Sequence, residues 1–203
     1  YVEGREIGEI WGLQTIGIAK SEEEMQAHLS SLPKGGQEAI GSKWSAGDIM
    51  YRDLNGDGKI SKGASTLDDH GDLKVIGNST PRYFFGIDLN ADWKGFDVRL
   101  FFQGVMKRDY WGKDNFCGYL FGARGDKDMW HARGLVEHQD YFRAQAIGID
   151  GHELPANLDA YYPRPVFKEG AKNQETQSRY LQDASYIRLK NFQLGYTLPT
   201  KWM

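Results

Sequence analysis

Cysteine is nearly absent from this chain, and so are most other landmarks of catalysis. One of its 203 residues is cysteine, Cys117, so no intrachain disulfide forms and a cysteine-built metal cluster is excluded. Cys117 lies in Phe116-Cys117-Gly118-Tyr119, where a small buried hydrophobe is expected rather than a nucleophilic thiol. A basic surplus is missing too: 25 Lys and Arg against 28 Asp and Glu leave a net charge of -3, with a pI near 6.0. That balance argues against a nucleic-acid partner, whose phosphate-facing surface leaves a basic excess. No apolar run approaches the ~20 residues of a membrane-crossing helix. The longest, 98–105, is already broken by Arg99 and Gln103. Tyr1-Val2-Glu3-Gly4-Arg5-Glu6 has neither the basic region nor the apolar core of a signal peptide. No initiator Met opens the chain and no closing element ends it, so a piece of something longer is expected.

Metal and acid–base signatures are equally sparse. His28, His70, His131, His138 and His152 have no metal-ligand spacing; His131 and His138 could share a helical face, but two imidazoles make a weak zinc signal. Asp126 and Asp128 lie in a Gly-rich stretch with no second carboxylate placed opposite them, which does not support a hydrolase.

Glycine and aromatics are plentiful instead. The chain has 25 glycines and 13% aromatic residues at a mean hydropathy of -0.61. Short strands with aromatic rims and Gly turns produce that composition, and so does a carbohydrate-binding surface.

Residues 1–20 alternate weakly and read as extended. Ser21-Glu22-Glu23-Glu24 fits a capping box, and Met25, Leu29 and Leu32 follow at helical spacing until Pro33, predicting a helix over 21–32. Residues 33–81 are polar and turn-rich. A period of two then sets in: Phe85, Ile87, Leu89, Ala91 and Trp93 are apolar, with Gly86, Asp88, Asn90 and Asp92 between them. Lys94-Gly95 makes a two-residue turn. Phe96, Val98, Leu100 and Phe102 resume one face, opposite Asp97, Arg99, Phe101 and Gln103. Each strand has about the 9–11 residues of a tilted transmembrane strand, although a soluble β-sandwich also pairs one apolar with one wet face. Residues 107–185 form a long charged and aromatic stretch with a short helix expected around 127–145. Such length is rare in compact soluble domains and normal outside an outer-membrane barrel. Tyr110-Trp111 and Tyr161-Tyr162 could stack on sugar rings, while loop packing is their simpler explanation. In 185–199 the apolar phase moves from Ile187 and Leu189 to Phe192, Leu194, Tyr196 and Leu198, predicting a β-bulge near Lys190-Asn191 that keeps both halves on one face.

Asp53-Leu54-Asn55-Gly56-Asp57-Gly58-Lys59-Ile60-Ser61 reproduces the first nine positions of an EF-hand-type loop. Asp53, Asn55 and Asp57 offer side-chain oxygens, Lys59 its carbonyl and Ser61 a further oxygen, a hard donor set that suits Ca²⁺ in a structural role. The closing acid's position holds Ala64, and no strong helix flanks the loop. A later acid, Asp68, Asp69 or Asp72, closes the site if the loop folds back. A metal-free Asx/Gly turn is the competing expectation.

Gly47-Asp48-Ile49-Met50-Tyr51-Arg52-Asp53, the loop that follows, Val75-Ile76-Gly77-Asn78-Ser79-Thr80-Pro81-Arg82, Lys94-Gly95-Phe96-Asp97 and Phe101-Phe102-Gln103-Gly104-Val105 resemble, in order and spacing, the C-terminal barrel region of the SusC/RagA family of TonB-linked outer-membrane proteins. Ser185-Tyr186-Ile187-Arg188-Leu189-Lys190-Asn191-Phe192 and its continuation to Pro199 resemble a later strand of that family, and residues 8–17 the segment before the region. The resemblance implies an all-β fold, antiparallel strands of a large transmembrane barrel that this chain alone does not close, with long extracellular loops holding short helices. Residues 1–81 and 107–184 would be extracellular, 82–106 a transmembrane hairpin and 185–199 a transmembrane strand. It further implies import of glycans or peptides across the outer membrane of a Gram-negative bacterium, with a SusD-like lipoprotein as partner and no enzymatic step. Energy would come from TonB through an upstream region. Lipid would cover the apolar strand face. In the family an acid before the Val-Ile-Gly motif closes the Asp-Asn-Asp loop; here that acid is Asp72, displaced by an insertion at 62–70. The alternative is a soluble extracellular carbohydrate-binding β-module with a structural calcium.

Overall fold

Alternating apolar residues become the longest strands of the protein, and the irregular stretches become a separately cored unit. The structure, a computed structural model, describes residues 3–112, 139–149, 151–166 and 170–202. The chain divides into two units, Tyr1–Ile76 with Trp111–Leu181, and Gly77–Tyr110 with Gln182–Met203. Among the described residues the architecture is all-β, and no sheet closes on itself. The helix expected around 127–145 lies for the most part outside the described residues, as do Cys117, Asp126, Asp128, His131 and His138.

In the first unit β1 (Glu9–Leu13) pairs with β4 (Leu73–Asn78), whose last two residues belong to the second unit. β2 (Thr15–Ile18) pairs antiparallel with β3 (Ile49–Tyr51), and β8 (Ile147–Ile149) with β9 (His152–Leu154). Helix α1 spans Glu22–Ser30, stopping short of the 21–32 expected. Ser21 caps it: its Oγ accepts the Glu24 amide at 3.2 Å. Glu24 returns to the amide of Lys20 at 2.6 Å, one residue earlier than the box predicts. Glu22, Glu23 and Glu24 in the first turn complement the helix dipole. The core gathers Leu13, Met25, Ile49, Tyr51, Ile60, Tyr162 and Tyr180, taken from strands, helix and irregular segments alike.

A polar node sits in that core. Asp48 is fully buried, and its carboxylate accepts five hydrogen bonds: from Ser45 N (3.0 Å), Arg164 Nε and Nη2 (3.0 Å each), Lys172 Nζ (2.7 Å) and Asn173 Nδ2 (3.0 Å). Lys172 is buried as well and completes its three donations on the carbonyls of Ser42 and Lys43, with Nζ 4.8 Å from the centre of the Trp44 ring. Asn173 Oδ1 accepts the Ile49 amide (3.1 Å), Gln37 Oε1 the Tyr51 amide (2.6 Å), and Tyr51 donates its hydroxyl to Lys172 O (2.7 Å). Buried groups satisfied this fully fix a single arrangement, and removal of one leaves the others stranded.

The second unit is simpler. β5 (Tyr83–Trp93), β6 (Phe96–Met106) and β11 (Tyr186–Tyr196) form an antiparallel sheet in the order β11-β6-β5. β7 (Asp109–Tyr110) pairs with β10 (Gln182–Asp183). Lys94 (φ 48°) and Gly95 (φ 89°) both occupy the left-handed region, the two-residue turn that suits the twist of a hairpin.

Burial alone would push the Asp48 carboxyl up, but hydrogen bonds from Arg164, Lys172 and Asn173 hold it below the usual carboxylate range. A depressed folded pKa stabilises the protein above the unfolded value near ~4, and that stabilisation is lost as pH falls through the folded value. Asp48→Ala should cost about 3–5 kcal/mol by stranding the Lys172 charge. In thermal unfolding followed by tryptophan fluorescence, the wild type should lose stability in acid. Asp48→Asn should melt lower at neutral pH and show a flatter acid limb.

Candidate functional site

The three-stranded sheet has two chemically opposed faces, each built by cross-strand register. On one face the rows run Ile87–Phe102–Leu189, Leu89–Leu100–Phe192, Ala91–Val98–Leu194 and Trp93–Phe96–Tyr196 across β5, β6 and β11. Among the described residues these side chains meet no second sheet: Leu89 is 51% exposed, Phe192 61% and Leu194 63%. A contiguous apolar face left this open marks an interaction surface or a membrane contact. The soluble module would bury one face under another sheet, and nothing supports that alternative here. The last row lies beside the turn and is aromatic, with Phe96 and Tyr196 ring centres 4.5 Å apart and Lys94 Nζ 5.0 Å from the centre of the Trp93 ring.

A bulge maintains this face along β11. Leu189 sits opposite Phe102, yet Asn191 sits opposite Phe101, so Lys190 is the extra residue. The register shift expected from the sequence is present, and it leaves Leu189 and Phe192 on the same side.

The other face is polar. Asp88, Asn90 and Asp92 of β5 share it with Asp97, Arg99 and Gln103 of β6 and with Arg188, Asn191 and Gln193 of β11. Arg99 grips Asp88 with two nitrogens, Nε to Oδ1 at 3.1 Å and Nη2 to Oδ2 at 2.6 Å. An exposed pair of this kind orders side chains more than it stabilises. Glycines receive aromatic rings on both faces. A Cβ on Gly104 would collide with the Phe85 ring, and one on Gly86 would approach Phe101 to 3.2 Å. Rings laid over strand glycines restore the packing that glycine lacks.

The calcium-like loop is closed by its own amides. Asp53 accepts from Gly56 N (2.6 Å) and Gly58 N (2.9 Å), Asn55 Oδ1 from Asp57 N (2.9 Å), and Asp57 Oδ1 from Lys59 N (3.1 Å). The Asx/Gly geometry uses φ +72° at Gly56 and +81° at Gly58. The insertion at 62–70 folds back on itself through Ala64 N to Asp69 Oδ2 (3.1 Å) and Asp69 N to Thr66 Oγ1 (3.0 Å). It thereby returns Asp72, fully buried, to the loop. Asp72 Oδ1 accepts Leu54 N and Oδ2 accepts Ser61 N, both at 2.8 Å. Asp53, Asp57 and Asp72 do not gather into a set of three acids that could hold a metal ion, nor does any such set occur among the described residues. As placed, these side-chain oxygens accept main-chain amides.

The remaining candidates separate. Tyr162 and Tyr180 are buried and Tyr161 packs edge-on against both, so loop packing accounts for this cluster. Tyr110 is exposed while Trp111 packs partly buried against the core of the first unit. His28 meets Gln37, and His70 meets Trp11. The Asp48 node was not foreseen: Arg164, Lys172 and Asn173 carry no local signal of burial.

No protein-family model matches the chain. Over 204 residues it is 28% identical to TonB-dependent receptor P3 of Formosa agariphila, covering 99% of this chain and 16% of that receptor. It is 25% identical to TonB-dependent receptor P26 of the same organism, covering 100% of this chain and 17% of that receptor. TonB-dependent receptor P39 matches at 26% identity over 74% of this chain and 12% of its own length. The chain is similar to TonB-dependent receptors along its whole length. It spans about a sixth of the receptors it matches. The two-faced sheet and the Asp-rich loop therefore both fall within a stretch shared with TonB-dependent receptors.

Asp72→Ala should loosen the loop by about 1–3 kcal/mol, the cost of removing the buried carboxylate that accepts the Leu54 and Ser61 amides. Proteolysis between 53 and 61 should rise in this variant, and a calcium chelator should leave the wild-type protein unchanged. Chelator-dependent cleavage of the wild type would instead assign calcium to Asp53, Asn55, Asp57, Lys59, Ser61 and Asp72.

Proposed function

We propose that this chain is part of the barrel wall and outer loops of a SusC-like TonB-dependent importer in the outer membrane of a Gram-negative bacterium. The importer takes up glycans or oligopeptides with a SusD-like surface lipoprotein and carries out no enzymatic step. TonB supplies the energy through a part of the receptor that this chain does not include.

The observation that carries the reading is the exposed apolar face of β5, β6 and β11, within a chain similar to TonB-dependent receptors throughout. Each of these strands has 11 residues. At ~3.3 Å per residue and a tilt of ~45°, such a strand crosses about 25 Å, the height of the apolar band of an outer-membrane barrel. Alternate residues then meet lipid and the rest a hydrated lumen, which suits the Asp88–Arg99 pair and the neighbouring carboxylates. The Trp93–Phe96–Tyr196 row takes the place of an interfacial aromatic girdle, and Lys94-Gly95 forms the short periplasmic turn. Irregular segments of the first unit form the outer loops.

Leu89 and Asn90 are neighbours on opposite faces, so one charge placed at each separates the two environments. In the full-length receptor Leu89→Arg should lower outer-membrane assembly, because a lipid-facing charge near mid-bilayer costs about 2–4 kcal/mol. Asn90→Arg should assemble normally. Equal assembly of both variants, read by heat-modifiable mobility, would overturn the facing. Affinity purification of the tagged receptor should bring down a surface lipoprotein, and a receptor recovered alone would remove the SusD-like partner from the proposal.

A further inference from the structure

Asn55 and Gly56 form the only Asn-Gly pair in the chain, and both are exposed in the loop that Asp72 closes. We infer that Asn55 is a site of structure-assisted deamidation, for which the loop supplies nucleophile, base and carbonyl donor. The inference stands apart from the importer role and needs no ligand.

The nucleophile is the main-chain nitrogen of Gly56. Glycine at φ +72° carries no side chain to shield it, and nothing lies within 4 Å of the position a Cβ would take. The base is Asp53. Gly56 N–H donates to Asp53 Oδ1 at 2.6 Å, inside the reach required of a general base. The electrophile is Cγ of Asn55, whose Oδ1 accepts the Asp57 amide at 2.9 Å. That donor is already aimed at the oxygen on which negative charge develops during attack. Asp53 is held for its part by a second hydrogen bond, from Gly58 N to Oδ2 at 2.9 Å. Three groups fixed in this way replace collisions with a standing arrangement.

The bonds balance without an oxidant or reductant. Gly56 N bonds to Asn55 Cγ as its proton passes to Asp53. The Cγ–Nδ2 bond then breaks, and Nδ2 leaves as ammonia carrying that proton, giving a five-membered succinimide. Water opens the ring. Attack at Cγ restores the ordinary main chain with aspartate at position 55, while attack at the main-chain carbonyl carbon leaves an isoaspartyl link. Either product adds one negative charge beside Asp53, Asp57 and Asp72. Asn78, Asn157, Asn173 and Asn191 precede Ser79, Leu158, Gln174 and Phe192, whose side chains shield the attacking nitrogen, so they serve as internal controls.

The test compares the folded protein with the same protein in denaturant, both aged at neutral pH. Tryptic cleavage after Arg52 and Lys59 isolates the site, mass spectrometry reads the exchange of nitrogen for oxygen, and isoaspartyl-specific enzymatic methylation distinguishes the two products. Position 55 should convert at least about tenfold faster in the folded protein, a modest return for one positioned base, with the control asparagines intact. Asp53→Asn should bring the folded rate down to the denatured rate. A folded rate equal to or below the denatured rate overturns the inference, and that comparison requires no variant to fold. An unchanged folded rate in Asp53→Asn overturns the role of Asp53 as base.

Discussion

A carboxylate taken out of water has to recover its hydration from the protein, and Asp48 recovers it from five hydrogen bonds whose donors lie as far along the chain as Asn173. The first unit depends on that exchange. Its strands are short and its helix has nine residues, too few for local structure to persist alone. The node brings the turn before β3, Arg164 and the Lys172-Asn173 pair to one point. Gln37, Tyr51 and Gln177 then extend the bonding to the backbone around them. Irregular chain can be buried here because its polar groups find partners.

The second unit solves the opposite problem. Its backbone groups pair along the ladders except at the outer edges of β5 and β11, and among the described residues its apolar face is left exposed. In the proposed barrel, lipid would bury this face, so a low mean hydropathy is compatible with an exposed apolar face. Only every second residue of three strands needs an apolar surrounding, and the remaining residues are free to be polar.

Legibility in the sequence divides along the same line. β5 and β6, the Lys94-Gly95 turn and the irregularity at Lys190 could all be read, because a period of two is a local property. The cap at Ser21 was legible for the same reason, although Glu24 chose the amide of Lys20. The core of the first unit was not. Asp48, Lys172, Asn173 and Gln177 are residue types that usually face water, and their partners lie more than 120 positions apart in the case of Asp48 with Lys172 and Asn173. The Asp-rich loop falls between. Alternating oxygens at 53, 55 and 57 were visible, but a carboxylate that suits a cation also suits an amide, and composition does not distinguish the two. The return of Asp72 depends on the fold of the insertion, which no spacing rule anticipates.

The extra residue at Lys190 bears on how this strand can change over evolutionary time. Side chains on β11 are read in a frame of two, and the bulge is the single place where the frame is reset. Loss of Lys190 would leave every remaining side chain chemically unaltered, yet it would turn Ile187 and Leu189 toward the wet side or send Phe192, Leu194 and Tyr196 there. Point substitutions on the strand are therefore graded in their effect, whereas insertions and deletions are all-or-none. Divergence in length should accumulate in the irregular segments and spare 186–196.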